Sequence, residues 1–173
     1  MSTIKSFFIL SFFLLTFFSY GADTSSPDKE GERIYRLFLE IVDGDTIIYR
    51  RVHMRFLGVD TPEIRNPDNG FYFDQPYGRK AEEFTRMEIR KARKVTYKSD
   101  GYDRYDRLLV HVFVDGYPLS QKIVEAGLGY ETITAFGDNG FPDIARNILK
   151  VSKLYPDLPF EKPYLWRRKN RAR

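Results

Sequence analysis

The sequence predicts an α+β fold that is mainly β: five strands curled into a barrel or small open sheet, with three helices packed against it. Three observations carry this reading. Apolar residues alternate with polar ones in RIYRLFLEIV (33–42), the period of a half-buried strand. Four further runs, TIIYRRV, HMRFLGV, KVTYK and LLVHVFV, are rich in β-branched and aromatic residues and are broken by turn signals. Between and after them lie three stretches of helical composition.

In the first strand, Tyr35, Leu37, Leu39 and Ile41 share one face, with Arg36 and Glu40 on the other. Asp43-Gly44 turns the chain into strands at 46–52 and 53–59. The run 64–78 (IRNPDNGFYFDQPYG) is dense in Pro, Gly and Asn and reads as a long irregular loop. Its aromatics could serve as an exposed stacking surface or form the loop's own small core, and the second reading is the more economical. A helix over 79–93 places Ala81, Phe84 and Met87 on an apolar stripe. Short strands follow at 94–98 and 108–114, then helices at 119–127 and 143–155, the latter stopped by Pro156. His53 and His111 fall within strands and read as surface or structural residues, while Trp166 is expected to pack the C-terminal segment onto the barrel.

The ends are different material. Residues 1–22 join a charged start to a short apolar run and small residues, the pattern of a secretory signal peptide. An uncleaved N-terminal membrane anchor is the rival. Residues 23–32 read as a flexible spacer, 33–166 as the domain, and 167–173 as a basic C-terminal tail. The chain has no cysteine, which excludes disulfides and thiolate metal sites, and its net charge of +4 is mild. A monomer is expected, with no stable protein partner, secreted or periplasmic once the leader is removed.

Chemistry is expected where acidic residues sit at strand ends. Asp43-Gly44-Asp45-Thr46 joins the first two strands, and Asp60-Thr61-Pro62-Glu63 ends the third. Carboxylates without nearby His or Cys suit a hard cation such as Ca²⁺ or Mg²⁺. Arg55 lies in an otherwise apolar strand, where an unpaired charge is costly, and Arg107 opens the most apolar one. Spacing alone leaves open whether these arginines clamp a phosphate or make structural ion pairs.

IVDGDT (41–46), MRFLGVDTPE (54–63), YGRKAEEFT (77–85), DRYDR (103–107) and IVEAGLGY (123–130) together resemble the successive motifs of the thermonuclease family, the staphylococcal-nuclease-like domains. The resemblance implies a five-stranded OB-type barrel with three helices. It also implies a Ca²⁺-dependent endonuclease acting on single- and double-stranded DNA and on RNA. By motif position, Asp45 and Asp60 would ligate Ca²⁺ with the Thr61 carbonyl, and Glu63 would hold the attacking, metal-associated water as general base. Arg55 and Arg107 would bind the scissile phosphate, with Arg104 and Tyr105 contacting substrate beside it. In-line attack would leave 3′-phosphates. Two departures stand out: Asp106 replaces the family's glycine, and Ile133 and Ala135 replace two pocket tyrosines. A catalytically weak binding or adhesion module on the same fold is the alternative.

Overall fold

The alternation in TIIYRRVHMRF folds as a tight hairpin in the computed structural model, which describes residues 31–172. The expected signal peptide lies outside the described residues. Strands β1 (Glu32–Arg33), β2 (Leu39–Ile41), β3 (Thr46–Tyr49), β4 (Val52–Phe56) and β5 (Val59–Asp60) precede helix α1 (Gly78–Lys91). Then come β6 (Val95–Tyr102), β7 (Leu108–Val114), β8 (Tyr117–Pro118), α2 (Leu119–Glu125), β9 (Tyr130–Glu131), α3 (Ile133–Phe136), α4 (Pro142–Ser152) and α5 (Pro163–Asn170). Arg50 and Arg51 make the β3–β4 turn with φ of 49° and 71°, both in the left-handed region that two-residue hairpins require. The turn therefore falls at 50–51, a residue or two earlier than the composition indicates.

The main sheet runs β1-β6-β7-β4-β3-β2, with β8 added to β7. Because β1 and β2 belong to one ten-residue run, the sheet begins and ends on the same piece of chain and curls shut, as an OB-type barrel does. That run is not one continuous strand. A 3-10 turn at Arg36–Phe38 interrupts it, and Leu37 is 87% exposed rather than buried. The reason is Arg36, whose guanidinium leaves the strand to donate to Arg90 O (2.8 Å) and Ala92 O (2.6 Å) at the end of α1. Those carbonyls lack helical partners, and a cation there is favoured.

The barrel interior holds Ile47, Met54, Phe56, Val95, Val110, Val112 and Val114, with Leu119, Ile123 and Ile148 from the helices closing one side. Helix α1 buries Gly78, Ala81, Thr85 and Ile89, so its inner face follows three- and four-residue steps. Phe84 and Met87, expected on that stripe, are only half-buried. Two helices beyond the expected three, α3 and α5, are also present. The second lies in the stretch whose composition reads as a basic tail.

His111 points away from the barrel interior yet is 1% exposed, because Phe141 at the start of α4 covers it edge-on at 4.8 Å. Burial pulls its pKa down to about 4, with Asp100 opposing weakly. A base whose folded pKa lies below its unfolded value near 6.5 contributes stability that is present above pH 6.5 and lost as pH falls toward 4. Urea unfolding at pH 7 and pH 4 should show that loss at roughly 3 kcal/mol for this residue, and His111→Phe should remove that part. Equal acid sensitivity in the variant would show that other groups carry it.

Candidate active site

The acidic corner is built from backbone up. Strand β5 pairs with β9, matching Asp60 to Tyr130, so Asp60 is fixed by a ladder rather than left on a free turn. The turn before β3 is fixed from the other side, where Thr85 of α1 donates to Gly44 O at 2.6 Å. Gly44 must be small: a Cβ there would lie 2.7 Å from Thr61 Oγ1 and 2.7 Å from the Ala81 Cβ. The two acidic turns, 43–46 and 60–63, are thereby pressed together. Thr61 N–H donates to Asp45 Oδ2 at 2.6 Å, a direct bond between them.

Arg55 joins the carboxylates. Its Nη1 donates to Asp45 Oδ1 and its Nη2 to Asp60 Oδ1 at 2.6 Å. Asp45 is fully buried and Asp60 nearly so, which makes this guanidinium the compensation for two buried charges. Burial pushes the Asp60 pKa up, but Arg55 and Arg167 outweigh it and hold the carboxyl below its ordinary range.

Arg107 comes from the neighbouring strand. Arg55 is in register with Leu109 across the parallel β4–β7 pair, and Arg107 is two residues earlier, so both arginines leave the same sheet face. Arg107 Nε donates to Asp103 Oδ2 at 2.8 Å within its own loop. Asp106 in that loop has φ +61°, a left-handed conformation that Asp tolerates better than most residues. Tyr105 is 58% exposed, beneath the Arg104 guanidinium at 4.8 Å and the Arg107 guanidinium at 5.6 Å.

Arg55, Asp60, Glu63, Arg104, Tyr105 and Arg107 line one broad open cleft. Asp45 and Thr61 lie buried directly behind it. The eight residues singled out from sequence thus line this cleft or lie buried behind it. The two replaced pocket positions diverge: Ile133 is buried in the core, while Ala135 lies exposed on the cleft wall next to Phe136, which is 76% exposed.

Glu63 is only 13% exposed at its side chain. Burial and the charge of Asp43 push its pKa up, against the opposing pull of Arg167 and Arg55. Asp43 is itself raised by burial, opposed by Arg55 and Arg107, so this third carboxylate lies within reach of both arginines. Its place in D-G-D-T was visible in the sequence, its approach to Glu63 was not. The Glu63 backbone is held by Gln75, whose N–H donates to Glu63 O at 2.8 Å and whose Oε1 accepts from Glu63 N at 3.2 Å. Gln75 is 1% exposed and also donates to Glu161 O at 2.6 Å. Nothing in a loop composition of Pro, Gly and Asn singles it out.

Arg167 is the other functional-looking residue that the sequence does not single out, since it reads there as part of a basic C-terminal tail. Its Nη1 donates to Asp60 Oδ1 (3.0 Å) and Glu63 Oε1 (2.6 Å), and its Nη2 to Asp60 Oδ2 (3.0 Å). The helix carrying it is seated by Trp166, which packs on Phe71 at 5.6 Å and Phe73 at 5.7 Å. The loop aromatics therefore form a small core with the C-terminal helix, and Trp166 packs on that loop. Tyr72 alone among them faces solvent without such a contact.

The donor chemistry fits a hard cation. Asp45 and Asp60 offer carboxylate oxygens at the junction of the two turns, and the buried Thr61 Oγ1 beside them has no hydrogen-bond partner. Among the described residues no group of three or more His, Asp or Glu side chains is placed to hold a metal ion by itself. Such a cation would take the rest of its shell from backbone carbonyl and water, as flexible Ca²⁺ coordination allows.

The family model described as Staphylococcal nuclease homologue matches residues 53–139, half of the chain. The chain is 36% identical over 108 residues to Endonuclease YncB of Bacillus subtilis (strain 168), covering 56% of this chain and 50% of that protein. It is 33% identical over 108 residues to the SPbeta prophage-derived endonuclease YokF of the same organism, covering 56% and 36%. An uncharacterized protein of Methanocaldococcus jannaschii, MJ1439, is 31% identical over 119 residues, covering 57% and 56%. The chain thus spans about half or less of the length of the curated relatives it matches.

Proposed function

This chain belongs to the staphylococcal nuclease homologue family, and from that premise we propose that it is a calcium-dependent endonuclease hydrolysing DNA and RNA phosphodiesters. The observation that carries the proposal is the meeting of Arg55, Arg107 and Glu63 in one cleft, backed by Asp45 and Asp60. Relatives named as endonucleases support it.

A phosphodiester is an anion that repels an incoming nucleophile, so the site must neutralise it before attack. Arg107, part-exposed and paired with Asp103, would take a phosphate oxygen. Arg55 keeps N–H groups beyond the two that serve Asp45 and Asp60, and these would take a second. Glu63, its basicity raised by burial and by Asp43, would orient a water and accept its proton. Asp45 and Asp60, with the Thr61 backbone, would hold Ca²⁺; when bound, the ion supplies Lewis-acid polarisation and a more acidic water. In-line attack would then release the 5′ oxygen and leave a 3′-phosphate. The exposed Tyr105 and Phe136 on the cleft wall offer ring faces to unpaired bases.

The charged start and short apolar run at residues 1–22 support export. Incubation with single-stranded DNA, duplex DNA and RNA, in calcium and then in excess EGTA, tests the reading. The expected result is cleavage to 3′-phosphate ends with calcium and its loss with EGTA. Binding of nucleic acid without calcium-dependent cleavage would overturn the enzyme and leave a binding module.

A further inference from the structure

Arg167 takes both carboxylate oxygens of Asp60, one of them shared with Arg55, and the near oxygen of Glu63. Burial works against its charge, yet Asp60 and Glu63 outweigh that and hold it firmly protonated. The contact is not a loose surface pairing. Besides Trp166 on Phe71 and Phe73, Arg171 Nε donates to Asn69 O and Ala172 N donates to Gly70 O, both at 3.0 Å. Helix α5 is therefore docked along the loop that follows the acidic turn, and its docking delivers the guanidinium.

A divalent cation held by Asp60 would need the same oxygens. A guanidinium and a divalent cation a few ångströms apart in a half-buried corner repel strongly, and the carboxylate cannot serve both fully. We propose that Arg167 is a positioning residue that serves as the site's resident cation, holding Asp60 and Glu63 in place until a divalent cation displaces it from Asp60. The inference rests on the metal-dependent reading above and adds to it a competition. The C-terminal helix and the cation bind the same carboxylate, so each weakens the other by the same factor. After displacement, Nη1 retains its bond to Glu63, which keeps the base oriented while Asp60 serves the cation.

Calorimetric titration of calcium chloride into the full chain, without nucleic acid, tests this. Arg167→Met is expected to bind calcium about tenfold tighter than the parent, within the usual range of coupling between two ligands. Arg167→Lys keeps the charge but loses the two-pronged grip, and should fall between them. Arg168→Met removes an exposed charge from the same helix and should leave the affinity within about twofold. Equal or weaker binding by Arg167→Met, or an equal gain from Arg168→Met, overturns the competition while leaving calcium dependence intact. Absence of calcium binding in every chain overturns both. Should Arg167→Met fail to fold, the lysine variant still decides, since the competition requires it to bind more tightly than the parent.

Discussion

Arg107→Ala is expected to slow phosphodiester cleavage by about 10²–10³ with almost no change in unfolding midpoint, whereas Arg55→Ala should lose activity and stability together. The two arginines look similar in sequence, one within an apolar strand and the other at the opening of one. Their surroundings differ. The Arg107 side chain is 32% exposed and its partner Asp103 lies in the same loop, where solvent can replace the pairing. The Arg55 side chain is 14% exposed and compensates Asp45, which is fully buried, together with Asp60. Removing one partner of a buried pair strands the other charge and costs about 3–5 kcal/mol. Cleavage rates on a defined oligonucleotide, measured beside urea midpoints for both variants, separate the two effects. Matching midpoints would mean that water reaches Asp45 once Arg55 is gone.

Gly78→Ala should behave opposite to its helix propensity. Alanine in place of glycine near a helix start ordinarily stabilises, by up to about 1 kcal/mol in a helix interior. Here a Cβ would sit 2.2 Å from Glu63 O, an overlap that backbone must move to relieve. The same carbonyl accepts from Gln75 N, so moving it loosens both ties that aim Glu63. The expected outcome is destabilisation of about 1–3 kcal/mol, the usual cost of overpacking, with a fall in turnover larger than any change in substrate affinity. A more stable, fully active variant would show that α1 can slide away from the acidic turn at no cost.

Much of the site could be read from sequence because its parts are local. Asp45 immediately precedes β3, Arg55 lies within β4, and Asp60 ends β5 with Glu63 in the turn after it, so one short stretch of chain carries all four. Arg107 adds one parallel register. What escaped were residues whose role depends on distant chain: Gln75 meets Glu161 across 86 positions, and Arg167 meets Asp60 across 107. No spacing rule links such pairs, and a run of arginines at a terminus carries the same signature whether solvated or docked. The first strand shows the complementary failure. Its alternation is real, but the 3-10 turn at 36–38 sends Leu37 to solvent, for Arg36 finds carbonyls at the end of α1 that a pattern within the strand cannot reveal.

That interrupted strand also sets how much chain must be closed to shut the barrel. The β3–β4 hairpin and the Asp45–Thr61 bond join residues at most 16 apart, so the acidic corner needs little chain to assemble. Closing the barrel requires β1 to find β6, with Glu32 meeting Tyr97 across 65 residues. Non-local contacts of this kind form late because the loop they close must be ordered first. The acidic corner thus closes a short loop, the β1–β6 seam a longer one, and the Arg167–Asp60 pair the longest of the three, across 107 residues.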